Sequence, residues 1–427
     1  MPSTRHVAII GAGQAAARAI AALRDAGYDG RITLYGEETE LPYERPPLSK
    51  EALFGAAGIA PATIYDDAFY RSNGVELALG VRIARLDPAT GRIHADTGEG
   101  IQADRILLAT GARARPCAIP GVDADRVLTL RNLADARRLR ARLASTQRLV
   151  LLGGGFIGLE IAAGAARLGC AVTVIEAKPR LIERAVSAEV SATVHALHAS
   201  HGVTIKTSSG IVRARQGHAE TELLLDDGST CAGDLIVAGV GAQPNAELAR
   251  EAGLACDNGI EVDRDCRTRS AIVWAAGDVA WRPHAFLGGA ARLESWDNAE
   301  IHGDRAGRAI AASFGAPAPA DTPDAPPWFW TDQYDLNLQI VGCVTDSDRM
   351  VTRGGARDTG PVIFHFRGSR LRGAELLSAG RDRSPVRRLV QQGWSGMPDR
   401  LGDTGVSLKE LLNQAREVAG AAQGEKQ

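Results

Sequence analysis

HVAIIGAGQAAARAIAALRDAGYDGRITLYGEE, residues 6–38, alternates two kinds of segment that belong together in an α/β layer. Val7 to Ile10 are four apolar residues in a row, which suits a strand buried on both faces of a parallel sheet. Gly11-x-Gly13-x-x-Ala16 follows at once, and an alanine-rich helix runs from it to Ala26. Gly11 permits the tight turn, Gly13 lets the backbone approach a phosphate, and Ala16 is small enough for close helix–strand packing. The helix N-terminus then offers unpaired N–H groups and the positive end of its dipole to a pyrophosphate. A second strand, Ile32 to Tyr35, delivers Glu37, whose carboxylate can accept hydrogen bonds from ribose hydroxyls. Glycines at this spacing are weak evidence alone; strand, helix, strand and acid in order point to a dinucleotide.

The pattern occurs a second time. RLVLLGGGFIGLEIAAGAARLGCAVTVIEA, residues 148–177, reads as a strand at Leu149 to Leu152, Gly153-x-Gly155-x-x-Gly158, a helix, a strand at Val172 to Ile175, and Glu176 at its end. Two such units imply two dinucleotides. Glu176 would bind a free ribose 2′-hydroxyl and repel a 2′-phosphate, which favours NADH, although Lys178 and Arg180 stand nearby.

Composition sets the frame. With 427 residues, 45% hydrophobic and 23% charged, the chain can bury two or three cores. A formal charge of −2 argues against a broadly basic nucleic-acid surface. The apolar run after the early Arg5 is too short for a signal-peptide core, and no stretch is long and apolar enough to span a bilayer, so a cytoplasmic location with no membrane partner is expected. Cys117, Cys170, Cys231, Cys256, Cys266 and Cys343 are scattered without a C-x-x-C, which predicts neither a disulfide framework nor a metal site.

Along the chain, a helix is expected around Asp67 to Ser72, strands near Ile83 to Leu86 and Arg92 to Ala95, and a buried strand ending at Thr110 and Gly111. The strand Leu235 to Ala238 runs into Gly241, and Ile272 to Ala275 into Gly277-Asp278, an acid at a strand end that can bond a polyol chain. The proline-rich GAPAPADTPDAPP reads as a domain linker. Beyond it come strands at Leu338 to Val341, Val362 to Phe366 and Leu371 to Leu377, then helices at Pro385 to Gln392 and Ser407 to Val418. The expected class is α/β: two Rossmann-like dinucleotide-binding domains, residues 1–112 with 248–320 and residues 113–247, followed by an α+β domain over 326–427.

GAGQAA, RPPLSK, LLATGARARP, GGGFIGLE, GVGAQPNAELA, AAGDVA, ESWDNA and PWFWTDQYDLNLQIVG together resemble the FAD-dependent, NADH-oxidising ferredoxin reductases of bacterial oxygenase systems, a group with glutathione-reductase-like architecture. The resemblance covers the whole chain. It implies FAD contacts from Gly11, Gly13, Gln14 and Ala15 at the phosphates, Glu37 at the ribose, and Arg45 and Lys50 near the phosphates and flavin. It further implies Ile83 at the adenine, Thr110, Gly111 and Arg131 against the cofactor, Asp278 at the ribityl chain and Trp296 by the ring. For NADH it implies Gly153, Gly155, Phe156, Ile157, Gly158, Glu176 and Gly241, with Glu160 near the nicotinamide; a pairing of Lys50 with Glu160 is expected in addition. Two departures stand out: Ala16 replaces a glycine often found there, and Ile301 and His302 replace polar residues.

No cysteine precedes Cys117, so PYERPPLSK, residues 42–50, cannot hold the redox cystine of disulfide reductases. Electrons arriving as a hydride are therefore expected to leave FAD one at a time for a [2Fe–2S] or Rieske-type ferredoxin, which docks near Trp330 and is steered by Arg305 and Arg308. A rubredoxin, or oxygen itself as in an NADH oxidase, is an alternative outlet. A sensor resembling the apoptosis-inducing factors is an alternative of another class. A monomer or homodimer fits the sequence equally.

Overall fold

The computed structural model describes residues 5–55, 58–60, 62–355 and 360–414. They form two compact units.

The first unit comprises the chain up to Pro47, Ala60–Arg113 and Ala242–Asp324. Its parallel sheet runs in the order Val273–Ala275, Arg105–Leu108, His6–Ile10, Arg31–Gly36, Val75–Leu79. The strand His6–Ile10 is buried throughout, which is why it carries no polar alternation. Helix Gln14–Asp25 packs against Trp296–Ala312 at a distance only small residues allow. A Cβ at Gly303 would come within 2.4 Å of the Ala15 carbonyl, and one at Gly307 within 2.5 Å of that of Ala19. Asp278 thus returns to the first sheet, as its strand end predicted. The proline-rich stretch after Phe314 has no regular structure, but it is tied down: Asp324 pairs with the buried Arg282 at 2.8 Å.

The second unit comprises Leu48–Ile59, Ala114–Gly241 and the chain from Ala325. One parallel sheet runs Thr204–Lys206, Ala171–Ile175, Arg148–Leu152, Leu235–Ala238, Val127–Leu128. An antiparallel sheet runs Trp328–Gln333, Leu336–Gly342, Arg370–Leu377, Val362–Arg367, Arg349–Arg353. Leu48–Ile59 joins this unit because its side chains are held there. The Phe54 ring fills the space a Cβ at Gly164 would take, and Arg140 Nη1 donates to the carbonyls of Ala52 and Leu53.

Some elements differ from expectation. Trp328–Gln333 is a strand that was not among those expected after the linker, its alternation disguised by three aromatics in a row. The compact units divide the chain at 241/242, beside the domain boundary expected at 247/248, and residues 48–59 belong to the second unit. The last expected helix is helical over 408–414, and its remainder lies outside the described residues.

Candidate active site

In the first unit Gly11 closes the turn after its strand at φ 104°. A Cβ there would lie 2.2 Å from the Ala109 carbonyl, so no other residue fits. Gly13 is different: its φ of −111° suits any residue, and a Cβ would meet no described atom within 4 Å. The helix Gln14–Asp25 begins there with no side-chain cap and no acid in its first turn. Helix Trp296–Ala312, by contrast, is capped by the Ser295 hydroxyl. An uncapped helix start facing open space fits a phosphate. Gln14 Nε2 donates to Glu300 at 2.6 Å, while its buried Oε1 has no partner among the described residues.

Other expected contacts take these positions in the same unit. Glu37 follows the second strand, is 70% exposed and lies 3.5 Å from Arg82 Nε. Arg45 pairs with Glu38 at 3.0 Å. Ile83 is buried at the start of a strand. Thr110 Oγ1 donates to the Asn245 carbonyl, and Gly111 takes φ 64°. Asp278 sits in a short turn of 3-10 helix, and Trp296 is the first residue of its helix.

The second unit repeats the cradle. Gly153 has φ 97°, and a Cβ would lie 2.6 Å from the Gly239 carbonyl; at Gly158 it would lie 2.7 Å from the Gly153 carbonyl. Gly155 opens helix Phe156–Arg167 without a side-chain cap, and the nearest atom to a Cβ there is 3.8 Å away. Glu176 accepts from the backbone N–H of Gly154 at 2.6 Å and of Lys178 at 2.7 Å, which fixes its carboxylate at the mouth of the turn. Arg180 is committed elsewhere, donating to the carbonyls of Val186 and Glu183. Phe156 packs against Phe329 with the rings tilted by 39° and centroids 4.4 Å apart, Ile157 is 42% exposed, and Gly241 is exposed at φ 104°. Arg131 precedes the capping box of helix Leu133–Leu143, its N–H donating to Asp135.

Helix Phe156–Arg167 also delivers Glu160, 7% exposed, to a polar cluster. Lys50 Nζ lies 3.3 Å from Glu160 Oε1 and 3.6 Å from Asp332 Oδ2. Thr331 Oγ1 donates to Oε1 at 2.6 Å, and Ser49 Oγ donates to Oε2. Lys50 Nζ also stands 5.7 Å from the centre of the Trp330 ring, which stacks on Trp328. The structure therefore joins Lys50 to Glu160, as expected, and adds Ser49, Thr331 and Asp332. The strand that carries Thr331 and Asp332 was not among those expected from the sequence.

The two arginines expected to steer a ferredoxin are both ion-paired: Arg305, 13% exposed, with Asp265 at 2.9 Å, and Arg308 with Asp304 at 3.0 Å. Asp265 is remote in sequence, which hid that pairing. His302 faces the core: burial holds its pKa down at about 3.

Residues 5–303 match the model of the pyridine nucleotide-disulphide oxidoreductases, and residues 328–412 match that of the reductase C-terminal domain. The chain belongs to the pyridine nucleotide-disulphide oxidoreductase family. Among similar members, the ferredoxin–NAD(+) reductase component of the Burkholderia cepacia anthranilate 1,2-dioxygenase system is 40% identical over 408 residues, covering 95% of this chain and 98% of the relative. Rhodocoxin reductase of Rhodococcus erythropolis is 36% identical, covering 99% of each. Of solved structures, a Rhodopseudomonas palustris ferredoxin reductase matches with TM-score 0.89 and 33% identity, over 95% of this chain and 99% of that one. The reductase in the covalent putidaredoxin reductase–putidaredoxin complex matches with TM-score 0.89 and 31% identity, over 97% and 99%.

This member of the family uses FAD and NADH, and its two uncapped glycine cradles fit them. It departs from the disulphide in the family's name. All six cysteines are free, and burial pushes every thiol pKa up, Cys266 to about 12. A thiol held protonated is a poor nucleophile. Among the described residues no cluster of His, Cys, Asp or Glu could hold a metal, and no helix is long and apolar enough to cross a membrane.

Proposed function

We propose that this oxidoreductase passes electrons from NADH, through FAD, to a small [2Fe–2S] or Rieske-type ferredoxin of an oxygenase system. The observation that carries this reading is the sulfur-free outlet: six free thiols, none before Cys117, in a chain whose full-length relatives are ferredoxin reductases. FAD, when bound, takes an electron pair as a hydride and releases the electrons singly.

The chain's own residues divide the remaining work. Gly11, Gly13, Gln14 and Ala15 cradle the FAD phosphates, Glu37 holds the ribose, Ile83 the adenine and Asp278 the ribityl chain, with Arg45, Thr110, Gly111, Arg131 and Trp296 completing the contacts. Gly155, Phe156 and Ile157 receive the NADH pyrophosphate, and Gly241 lines the same pocket. Glu160, one helical turn on, meets the nicotinamide, and Lys50 balances its charge. Trp330 lies on the way out to the ferredoxin. A cytoplasmic location goes with this role.

The test is cytochrome c reduction relayed by a panel of [2Fe–2S] ferredoxins, using wild type and a variant with all six cysteines replaced by Ser or Ala. Both should respond to a ferredoxin within about twofold of each other, because no thiol takes part. Loss of turnover in the cysteine-free variant with FAD retained would restore a thiol relay. No stimulation by any ferredoxin would remove the proposed acceptor.

Coenzyme choice follows from Glu176. Its carboxylate is anchored by two N–H donors, and Arg180 is turned away, so a 2′-phosphate would meet a fixed negative charge. NADH should exceed NADPH in kcat/KM by about 30-fold, roughly 2 kcal/mol. Equal constants for the two coenzymes would remove Glu176 from the ribose.

A further inference from the structure

The strand Trp328–Gln333 alternates its faces. Thr331 and Gln333 point one way and are each 1% exposed, while Trp330 and Asp332 point the other. On the buried face, His198 Nε2 lies 2.9 Å from Gln333 Oε1, and Gln333 Nε2 donates to Thr331 Oγ1 at 3.2 Å. Thr331 in turn donates to Glu160 Oε1 at 2.6 Å.

The direction of this series is fixed by counting protons. A hydroxyl has one, so if Thr331 gives its own to Glu160, it must accept from the Gln333 amide nitrogen, and Gln333 Oε1 then faces the His198 ring as an acceptor. His198 is wholly buried, and its Nδ1 has no partner among the described residues. Burial also holds its pKa below the ordinary value, so the ring is neutral and its single proton sits on Nε2. The reverse orientation would leave an N–H at Nδ1 unpaired in the core and take the Thr331 proton away from Glu160. Every donor therefore points toward Glu160.

We propose that Gln333 and His198 are positioning residues for the nicotinamide end of the site: they hold the Thr331 hydroxyl turned toward Glu160, keeping its carboxylate aimed at Lys50. This rests on the reading of Lys50 and Glu160 given above. A second series on the opposite face follows the same rule. Trp328 Nε1 donates to Gln339 Oε1 at 3.2 Å, Gln339 Nε2 to Asn337 Oδ1 at 2.9 Å, and Asn337 Nδ2 to Asp332 Oδ1 at 2.6 Å. Both carboxylates beside Lys50 thus stand at the accepting end of a one-way series borne by a single hairpin.

Gln333→Glu tests the polarity with almost no change of shape. A carboxylate at 333 has no N–H, so Thr331 turns its proton to it and Glu160 loses a donor. His198→Leu removes the first donor, whereas His198→Gln can place an amide N–H where Nε2 was. Under anaerobic stopped flow, Gln333→Glu and His198→Leu should each slow NADH-driven flavin reduction about tenfold, with NADH affinity changed by less than about twofold. His198→Gln should stay within about twofold of wild type. Independently of turnover, ¹⁵N shifts of labelled histidine in the wild-type holoenzyme should show His198 protonated at Nε2 and not at Nδ1. Wild-type rates in Gln333→Glu with FAD bound, or the Nδ1–H tautomer, would overturn the proposal. If His198→Leu does not fold, Gln333→Glu and the ¹⁵N shifts decide. A wild type that reduces its flavin but feeds no ferredoxin would sink the acceptor reading alone, and the same rate ratios would still decide on Gln333.

Discussion

Lys50→Met is expected to slow NADH-driven flavin reduction about a hundredfold, which corresponds to about 2.7 kcal/mol in the barrier. Glu160 is a buried carboxylate that Lys50 approaches to 3.3 Å. Removing the cation leaves that charge with only the Ser49 and Thr331 hydroxyls, and breaking such a buried pair costs about 3–5 kcal/mol. Glu160→Gln is milder, about tenfold, because the amide oxygen can still accept from Thr331, the Ser49 hydroxyl can rotate to accept from the amide nitrogen, and Lys50 keeps Asp332. The double variant has no stranded charge, so its defect should fall short of the product of the two by about 1–2 kcal/mol. Anaerobic stopped flow under excess NADH measures all four proteins, with FAD content and melting temperature recorded alongside. Defects that multiply would mean that the two residues act separately.

The parts of this site that were legible in the sequence are those set by local backbone rules. A turn that needs positive φ demands glycine at 11 and 153, a helix that must meet phosphate cannot carry a side-chain cap, and an acid at the next strand end follows. Those constraints act within thirty residues and leave a readable spacing. The pairing of Lys50 with Glu160, 110 positions apart, was inferred only from where the family resemblance sets each residue and not from any local pattern. Ser49, Thr331, Gln333 and His198 were invisible because ordinary polar residues become a network only when a hairpin from the C-terminal domain is laid beside helix Phe156–Arg167. The ion pair of Arg305 was hidden for the same reason: its partner Asp265 is remote in sequence. Spacing on a helix shows which charges share a face, not what the next element places against them.

The glycines at 11 and 13 look alike in the motif but should fail in opposite ways. Gly11→Ala forces a side chain into φ 104° and drives its Cβ to 2.2 Å from the Ala109 carbonyl, a backbone atom that cannot swing aside. The expected loss is in the protein itself, about 3 kcal/mol or more, seen as a lowered melting temperature of the apoprotein or failure to accumulate. Gly13→Ala meets no described atom within 4 Å and keeps an ordinary φ, so the apoprotein should melt within a few degrees of wild type, an alanine cap costing about 1 kcal/mol at most. Its methyl instead occupies the space a pyrophosphate must enter, and the FAD dissociation constant should rise about a hundredfold, or 2.7 kcal/mol. The same contrast applies in the second unit, where a Cβ at Gly153 lies 2.6 Å from the Gly239 carbonyl and one at Gly155 is 3.8 Å from anything described. Gly155→Ala should therefore spare both fold and FAD while raising the KM for NADH. Calorimetry of the apoproteins, paired with FAD titration, separates the two effects. An apoprotein destabilised by Gly13→Ala as much as by Gly11→Ala, with FAD affinity unchanged, would make the second glycine a packing residue and leave the first cradle without its phosphate.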